Sequence, residues 1–542
     1  MSGTVKALLA AAEPTEPKPL GELLDRLAAG GILSGSRDAG RGPGGSDLRR
    51  MQVSGIALDS REVRPGHVFV AIPGEHVDGH AFIGAAAARG AVAALVGHVA
   101  PLAALPQVPV TDPRRALAAA AVWWYGDPSR ELGVVGVTGT DGKTTTSFLA
   151  VATLEAAGYS TGLIGTVETG IGRVRVANEV HATTPEAPTL QGMLRAMVAA
   201  GNRAAVVETT SHGLAQERVA GIAYDAAILT NLSHEHLEFH GTPEAYLAAK
   251  RSLFERLAVS AENPPKGDGS WPRTAVINLD DPSAGAFLVA ARAAGAAVVT
   301  YGTDPAADVA LLEVEEGLDR LRLRYRAPGG SAGVALRLAG RFNALNALAV
   351  VALGAGLGLD PAAIRAGLEA VPGVPGRMER ISVGQLFTVI VDYAHTPAAL
   401  AAVLDGLAPL AAAGSGGLIV VFGSAGERDT AKRPMMGRIA GERCRLVILT
   451  DEDPRGEDRE TILNEIAAGV EAAGLGRGRG LLLVPDRAAA IRAAFDRAGP
   501  GDVVLLAGKG HEASIIDDRG PQPWDERAAA LAALAALGFR DG

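Results

Sequence analysis

Short apolar runs, each ending in a turn or a polar residue, recur along this chain and alternate with stretches whose apolar positions fall three or four apart. Near the N-terminus PLGELLDRLAAGGIL has the helical spacing, and the Gly/Ser/Arg-rich stretch from Ser34 to Asp47 reads as a loop. Residues 1–17, interrupted by Glu13, Pro14 and Glu16, read as a flexible tail. From Gly55, GIALDSREVRPGHVFVAIPG and GAVAALVG alternate apolar runs with glycine turns, which predicts a small α/β domain over residues 18–128.

A new series begins at Glu131: LGVVGVTGT, RAAVVETTS, AAILTNLS, TAVINLDD and AAVVTYG, most of them separated by helical stretches. Strands alternating with helices predict a mainly parallel sheet with ligand sites at the strands' C-terminal ends. ALLEVEEGLDRLRLRYRA differs and reads as an antiparallel hairpin appended to that sheet. VPGVPGRMER, with two prolines and two glycines, reads as a hinge. Beyond it FTVIVDYAHTP, LIVVFGSAGERD, LVILTDEDPRG, LLLVPDR and DVVLLAGKGHE form a second α/β series, every run ending in charged or hydrogen-bonding residues.

Bulk properties narrow this picture. At 542 residues the chain is too long for one ordinary core and suits about three domains. Hydrophobic content of 48% and charged content of 20% fit a globular protein. A net charge of −9 argues against a binder of nucleic-acid backbone. Cys444 is the only cysteine, so no intrachain disulfide and no cysteine-based zinc site can form, which fits a reducing cytoplasm. Neither a signal peptide nor a membrane-spanning run is predicted.

GVTGTDGKTTT, residues 136–146, is the strongest chemical signal. An apolar strand leads into a glycine turn and then a helix, so backbone N–H groups and the helix dipole can hold an anion. Lys143 is placed to neutralise phosphate charge and Thr144 to hold Mg²⁺. The usual spacing would put glycine at 137, where this chain has Val137; Gly136 and Gly139 are the glycines available. Downstream, Glu208 ends an apolar run, and His234, Glu235, His236, Glu238 and His240 crowd into NLSHEHLEFHG. No helical HExxH spacing occurs there, and oxygen ligands beside a phosphate loop favour Mg²⁺ over zinc.

These segments, with YLAAKRSLF, GRFNALNALA, VPGRMER, GSAGERDTAKRP and AGKGHE in order, resemble the Mur ligases, in particular the ligases that add the third, diamino residue to a UDP-N-acetylmuramoyl-dipeptide. The likeness runs from about residue 18 to 540. It implies an α/β fold of three domains: a small N-terminal α/β domain that binds the UDP substrate (18–128), a central parallel-sheet P-loop ATPase-like domain (129–375) and a C-terminal Rossmann-like domain that binds the amino acid (376–542). It implies ATP and Mg²⁺, an acyl-phosphate route to an amide, a role in peptidoglycan precursor synthesis and hence cell shape and division, a cytoplasmic location and a monomer without nucleic-acid or membrane partners.

The resemblance also implies roles. Its phosphate loop is a shorter form, so Gly139, Thr140, Asp141, Gly142, Lys143, Thr144 and Thr145 would form the cradle, with Asp141 in place of the usual Asn. Asn278, Asp281, Asn343, Asn346, Asp392 and His395 would contact the nucleotide, and Arg377 would reach its phosphates on closure. Thr144 and Glu208 would serve one Mg²⁺, and His236 with Lys250 the other, Lys250 carrying a CO₂-derived carbamate. Lys143, His236, Lys250 and Arg377 would be the catalytic set. Ser60 and Arg61 would meet the uridine nucleotide, and Thr183, Thr184, Thr210, Gln216 and Arg218 the muramoyl-dipeptide.

Arg428, Glu452, Asp453, Pro454, Arg455, Gly508 and Glu512 would select the amino acid. Arg455 suits the distal carboxylate of meso-diaminopimelate. Asp453, in place of Asn, adds charge that suits L-lysine or L-ornithine, so both remain open, with diaminopimelate favoured. Two other readings compete: an amide ligase of the folylpolyglutamate or cyanophycin type, and a non-catalytic nucleotide-binding regulator on the same fold. The DSR, EDPR and GKGHE segments count against the first, and retention of Lys143, Lys250 and His236 against the second.

Overall fold

The structure, a computed structural model, describes residues 3–34, 48–74, 77–100, 105–178, 182–233, 235–260, 263–266, 271–317 and 320–539. Most of the expected 34–47 loop, and His234, therefore lie outside the described residues. The chain forms two compact units, one of Met1–Lys143, Leu154–Val299 and Leu353–Leu359, the other of Thr144–Thr153, Thr300–Ala352 and Asp360–Gly542.

The first unit holds a two-stranded antiparallel ribbon, Lys18–Pro19 with Gln52–Val53, and two larger sheets. Gly55–Ala57, His67–Ala71, Ala93–Val96 and Gln107–Pro109 make a four-stranded parallel sheet. Its buried face packs on helices Leu20–Ala29 and Pro113–Tyr125 through Leu23, Leu27, Leu117 and Trp124. The second sheet orders Val174–Ala177, Glu168–Ile171, Thr161–Ile164, Ala204–Glu208, Gly133–Thr138, Ala226–Leu229 and Thr274–Asn278. Its last five strands are parallel and wholly buried, so near-continuous Val, Ile, Leu and Ala runs are what the fold requires.

The flexible tail expected over residues 1–17 is corrected. Gly3–Ala12 is a helix, and Val5 is fully buried in the core that contains Met193 and Met197. Leu8, Leu9 and Ala12 pack against the same core, so burial of this one face holds a helix that Glu13 and Pro14 then end.

In the second unit Val309–Glu316, Leu321–Ala327 and Gly330–Leu336 form an antiparallel meander, one strand more than the expected hairpin. The last part is a six-stranded sheet ordered Glu379–Ile381, Thr388–Asp392, Val503–Ala507, Leu418–Phe422, Leu446–Leu449 and Leu481–Leu483. All its pairings are parallel except the Glu379–Ile381 edge. Arg487, buried, pairs bidentately with Glu526 and donates to the carbonyls of Asp451 and Ala507 at 3.0 and 2.8 Å, which ties two strand ends together.

Candidate active site

Strand register decides what meets at the phosphate loop. Glu208 pairs with Val137, and Leu229 pairs with both Thr138 and Ile277. Glu208, Gly139, Thr230 and Asn278 therefore stand at one edge, at the C-terminal ends of four adjacent strands. Geometry requires glycine at position 139. Gly139 has φ +149°, and a Cβ there would lie 1.8 Å from Thr230 Oγ1 and 3.0 Å from the Asn231 carbonyl. Gly142 has φ +82°. Val137 is a buried strand residue, so the glycine turn begins two residues later than the longer spacing would place it.

The loop is bound to its neighbours residue by residue. Thr140 N–H donates to Asn231 O at 2.8 Å, and the Thr140 hydroxyl lies 3.0 Å from the Tyr246 hydroxyl. Thr230 Oγ1 donates to Asp141 O at 2.6 Å, while Asp141 N–H donates to Asn231 Oδ1 at 3.0 Å. Asp141 itself is exposed, so its charge is solvated. Thr144 and Thr145 are buried at the start of helix Lys143–Ala156.

Two lysines meet one carbonyl. Lys143 Nζ donates to Gly139 O at 2.9 Å and to Thr140 O at 2.7 Å, and Lys250 Nζ donates to the same Gly139 O at 2.6 Å. Lys250 is buried, with its Nζ 4.6 Å from the Tyr246 ring centroid. Burial first, and then the charge of Lys143, hold its pKa well below the ordinary lysine value. Tyr246, four residues earlier on helix Pro243–Glu255, was not expected, although the i,i+4 spacing in YLAAK is its signal.

Glu208 is fully buried, and its carboxylate accepts from Thr166 N–H at 3.0 Å and Thr166 Oγ1 at 2.7 Å. Thr166 also lies 3.0 Å from the Thr183 hydroxyl, and nothing in the sequence pattern marks it. Thr184 Oγ1 donates to Glu208 O at 2.8 Å and accepts from Thr210 N–H and Oγ1, each at 3.0 Å. Arg218 donates to Thr184 O at 2.9 Å and Gln216 Oε1 at 2.6 Å. The structure thus brings Thr183, Thr184, Thr210, Gln216 and Arg218 together beside Glu208. Ser60 and Arg61 lie apart in sequence on the turn Ser60–Glu62, where Asp59 pairs with Arg61 at 2.6 Å.

His236 sits on left-handed backbone, φ +57°, with its ring 4.7 Å from that of His212. Burial pushes His236 down, and burial followed by the two neighbouring imidazoles pushes His212 down to about 4. His212 lies inside the TTSHG segment but was not singled out by its sequence context. Asn278 Nδ2 donates to Thr230 O at 2.7 Å, and Asp281 accepts from Leu232 N–H at 2.5 Å, so both tie the loop after Ala226–Leu229 to the next strand end.

In the second unit Asn343 donates to Ala339 O at 2.6 Å and accepts from Asn346 at 2.8 Å, with Thr146 donating to Asn346 at 3.4 Å. Asp392 accepts from Met378 N–H at 2.7 Å and Ala394 N–H at 2.8 Å, which fixes the expected hinge against the strand end. The Arg377 guanidinium lies 4.6 Å from the Tyr393 ring centroid, and His395 Nδ1 is 2.8 Å from Tyr393 O.

Most of the residues expected to select the amino acid lie beyond the ends of Leu446–Leu449 and Val503–Ala507. Gly426 N–H donates to Asp453 O at 2.8 Å, and a Cβ on Gly426 would lie 2.1 Å from Pro454 O, so the two loops are zipped together. Arg428 is exposed at that loop's end. Glu452 is buried with Oε2 unpartnered, and Arg455 has a buried, unpartnered Nε. Gly508, φ +99°, leaves room for Glu452; a Cβ there would stand 3.3 Å from Glu452 Oε2. The expectation that Asp453 presents free negative charge is corrected: Lys509 Nζ pairs with it at 2.8 Å and with Glu512 at 2.6 Å. Glu512 also accepts from the Tyr393 hydroxyl at 3.2 Å.

The chain is similar to known proteins along most of its length. The Mur ligase family, catalytic domain, matches residues 52–125, the Mur ligase middle domain residues 137–354, and the Mur ligase glutamate ligase domain residues 376–510. The UDP-N-acetylmuramyl-tripeptide synthetase of Roseiflexus sp. (strain RS-1) is 50% identical over 492 residues, covering 90% of this chain and 96% of its own. The UDP-N-acetylmuramoyl-L-alanyl-D-glutamate–2,6-diaminopimelate ligase of Geobacter metallireducens is 40% identical over 90% of this chain and 95% of its own. A solved structure of a ligase of that same description aligns with a TM-score of 0.63 at 31% identity, over 91% of this chain and 97% of its own.

Proposed function

The chain belongs to the Mur ligase family, and from that premise we propose that it is the ATP-dependent ligase that joins a diamino acid, meso-diaminopimelate, to UDP-N-acetylmuramoyl-L-Ala-D-Glu in peptidoglycan precursor synthesis. A carboxylate is a poor acyl donor, because its anionic oxygen is a poor leaving group. Transfer of the ATP γ-phosphoryl group gives an acyl phosphate, the amine attacks its carbonyl, and phosphate leaves from the tetrahedral intermediate. Backbone amides of residues 139–145 would cradle the phosphates, and Lys143 would neutralise their charge. Glu208 with Thr144, and His236 with Lys250, are suited to hold Mg²⁺, which when bound offsets the repulsion between triphosphate and carboxylate. Thr183, Thr184, Thr210, Gln216 and Arg218 would position the dipeptide beside Glu208, and Ser60 and Arg61 the uridine nucleotide.

The observation that carries this reading is the pair of lysines on the Gly139 carbonyl. Two ammonium groups so placed repel each other, and burial removes the water that would screen them. Burial and the Lys143 charge therefore favour the uncharged amine of Lys250, the form that attacks CO₂. Its nitrogen bonds to the CO₂ carbon and releases a proton, and the resulting carbamate is anionic and suited to Mg²⁺. The unsatisfied Glu452 Oε2 and Arg455 Nε support diaminopimelate, whose distal end carries both an ammonium and a carboxylate. The test is phosphate release from ATP and Mg²⁺ with UDP-N-acetylmuramoyl-L-Ala-D-Glu and, separately, diaminopimelate, lysine and ornithine. Release with diaminopimelate is expected, and no release with any of the three refutes the proposal.

A further inference from the structure

Lys509 is fully buried and stands between two acids of the amino-acid site. It lies 2.8 Å from Asp453 Oδ1 and 2.6 Å from Glu512 Oε2. The same Asp453 oxygen accepts from Ile516 N–H at 2.9 Å, and Ile516 O in turn accepts from Arg455 N–H at 2.9 Å. Asp453 and Arg455 therefore grip one residue of the strand Ser514–Asp517 from both sides. Arg455 needs that grip, because its backbone is left-handed at φ +55°, a conformation rarely adopted by side chains other than glycine, asparagine and aspartate.

The charges follow from these contacts. Glu452 and Asp453 stand in the same loop as Arg455, and Glu512 shares Lys509 with Asp453, so three carboxylates belong to this cluster, a charge that would repel a ligand carboxylate. Lys509 cancels Asp453 and engages one oxygen of Glu512, and the Tyr393 hydroxyl engages the other. What remains unsatisfied is one acceptor, Glu452 Oε2, and one donor, Arg455 Nε. That remainder matches a zwitterionic end and mismatches a lone ammonium.

Resting on the ligase reading above, we infer that Lys509 is a positioning residue that sets amino-acid specificity: by neutralising Asp453 it holds Arg455 in place and keeps the site receptive to a substrate carboxylate. The Lys509–Asp453 ion pair thus does in this chain what a neutral side chain at position 453 would do alone.

The experiment compares wild type, Lys509→Met, Asp453→Asn and the double variant, each with diaminopimelate and with lysine, under saturating ATP and UDP-N-acetylmuramoyl-L-Ala-D-Glu. Lys509→Met is expected to raise KM for diaminopimelate about tenfold or more, since it leaves like charge facing the substrate. KM for ATP stays unchanged, and the preference for diaminopimelate over lysine falls. Asp453→Asn is the reference for the double variant, which returns KM for diaminopimelate to within about threefold of wild type, because Asn keeps the Ile516 contact without the charge. An equal loss with both amino acids, or a double variant no better than Lys509→Met, overturns the inference by making Lys509 merely structural. If Lys509→Met fails to fold by circular dichroism, Lys509→Gln, which retains hydrogen bonding without charge, replaces it with the same expectations. Wild type that forms no amide with any amino acid refutes the ligase reading instead, and active wild type that prefers lysine refutes the specificity inference alone.

Discussion

Replacing Gly139 with alanine tests the phosphate loop at its tightest point. The added Cβ would fall 1.8 Å from Thr230 Oγ1 and 3.0 to 3.1 Å from the Asn231 backbone. Thr230 can turn its hydroxyl aside only by giving up its 2.6 Å bond to Asp141 O, a loss of about 1 kcal/mol. The φ of +149° adds strain of about 1–3 kcal/mol for a residue with a side chain. Together these give about 2–4 kcal/mol against the cradle conformation, or roughly a 30- to 700-fold fall in kcat/KM for ATP. The assay is steady-state phosphate release at varied ATP, with circular dichroism to establish that the fold persists. Adding Thr230→Ala removes the side-chain overlap but also the bond to Asp141 O, and leaves the strain, so the double variant should stay within about threefold of Gly139→Ala. A Gly139→Ala protein whose kcat/KM for ATP stays within about threefold of wild type would refute the assignment of this turn as the phosphate cradle.

Lys250→Ala should abolish amide formation while the protein stays folded; partial recovery with added acetate or formate supports the carbamate, and undiminished activity excludes it. Glu457, held down to about 2 by its hydrogen bonds to Arg433, is a pH-sensitive tie between the loops that carry Arg428 and Arg455. A carboxyl whose folded pKa is depressed contributes stability above its unfolded value, near 4.5 here, and loses it as pH falls towards 2. The thermal midpoint of Glu457→Gln should therefore lie below wild type at pH 7, with the gap closing between pH 4.5 and 2; a gap independent of pH shows that the ion pair is not the cause.

The order of elements was readable because buried parallel strands demand continuous apolar runs, and helices demand apolar positions three or four apart. Gly139, Lys143 and Glu208 stood out as single positions for a related reason, since glycine, lysine and glutamate at strand ends and turns have few other uses; Lys250, inside helix Pro243–Glu255, was marked only by the resemblance. The N-terminal helix was not, because Val5 and Leu8 gain nothing from a helix until the face near Met193 exists to bury them. Thr166 was invisible too, since its two bonds to Glu208 span 42 positions of chain.

Asp453 shows the boundary most clearly. Read along the chain it is one more negative charge beside Arg455, and it argues for a cationic substrate. In three dimensions a buried lysine 56 residues away cancels it and reverses the argument. Local sequence determined which segments become strands, helices and turns, and which residue types stand at the strand ends, because backbone periodicity and steric freedom are properties of neighbours in the chain. The charge of each site, the protonation of Lys250 and the pairing of Asp453 were decided only by tertiary structure, because electrostatic energy depends on distance and burial, and neither is set by separation along the chain.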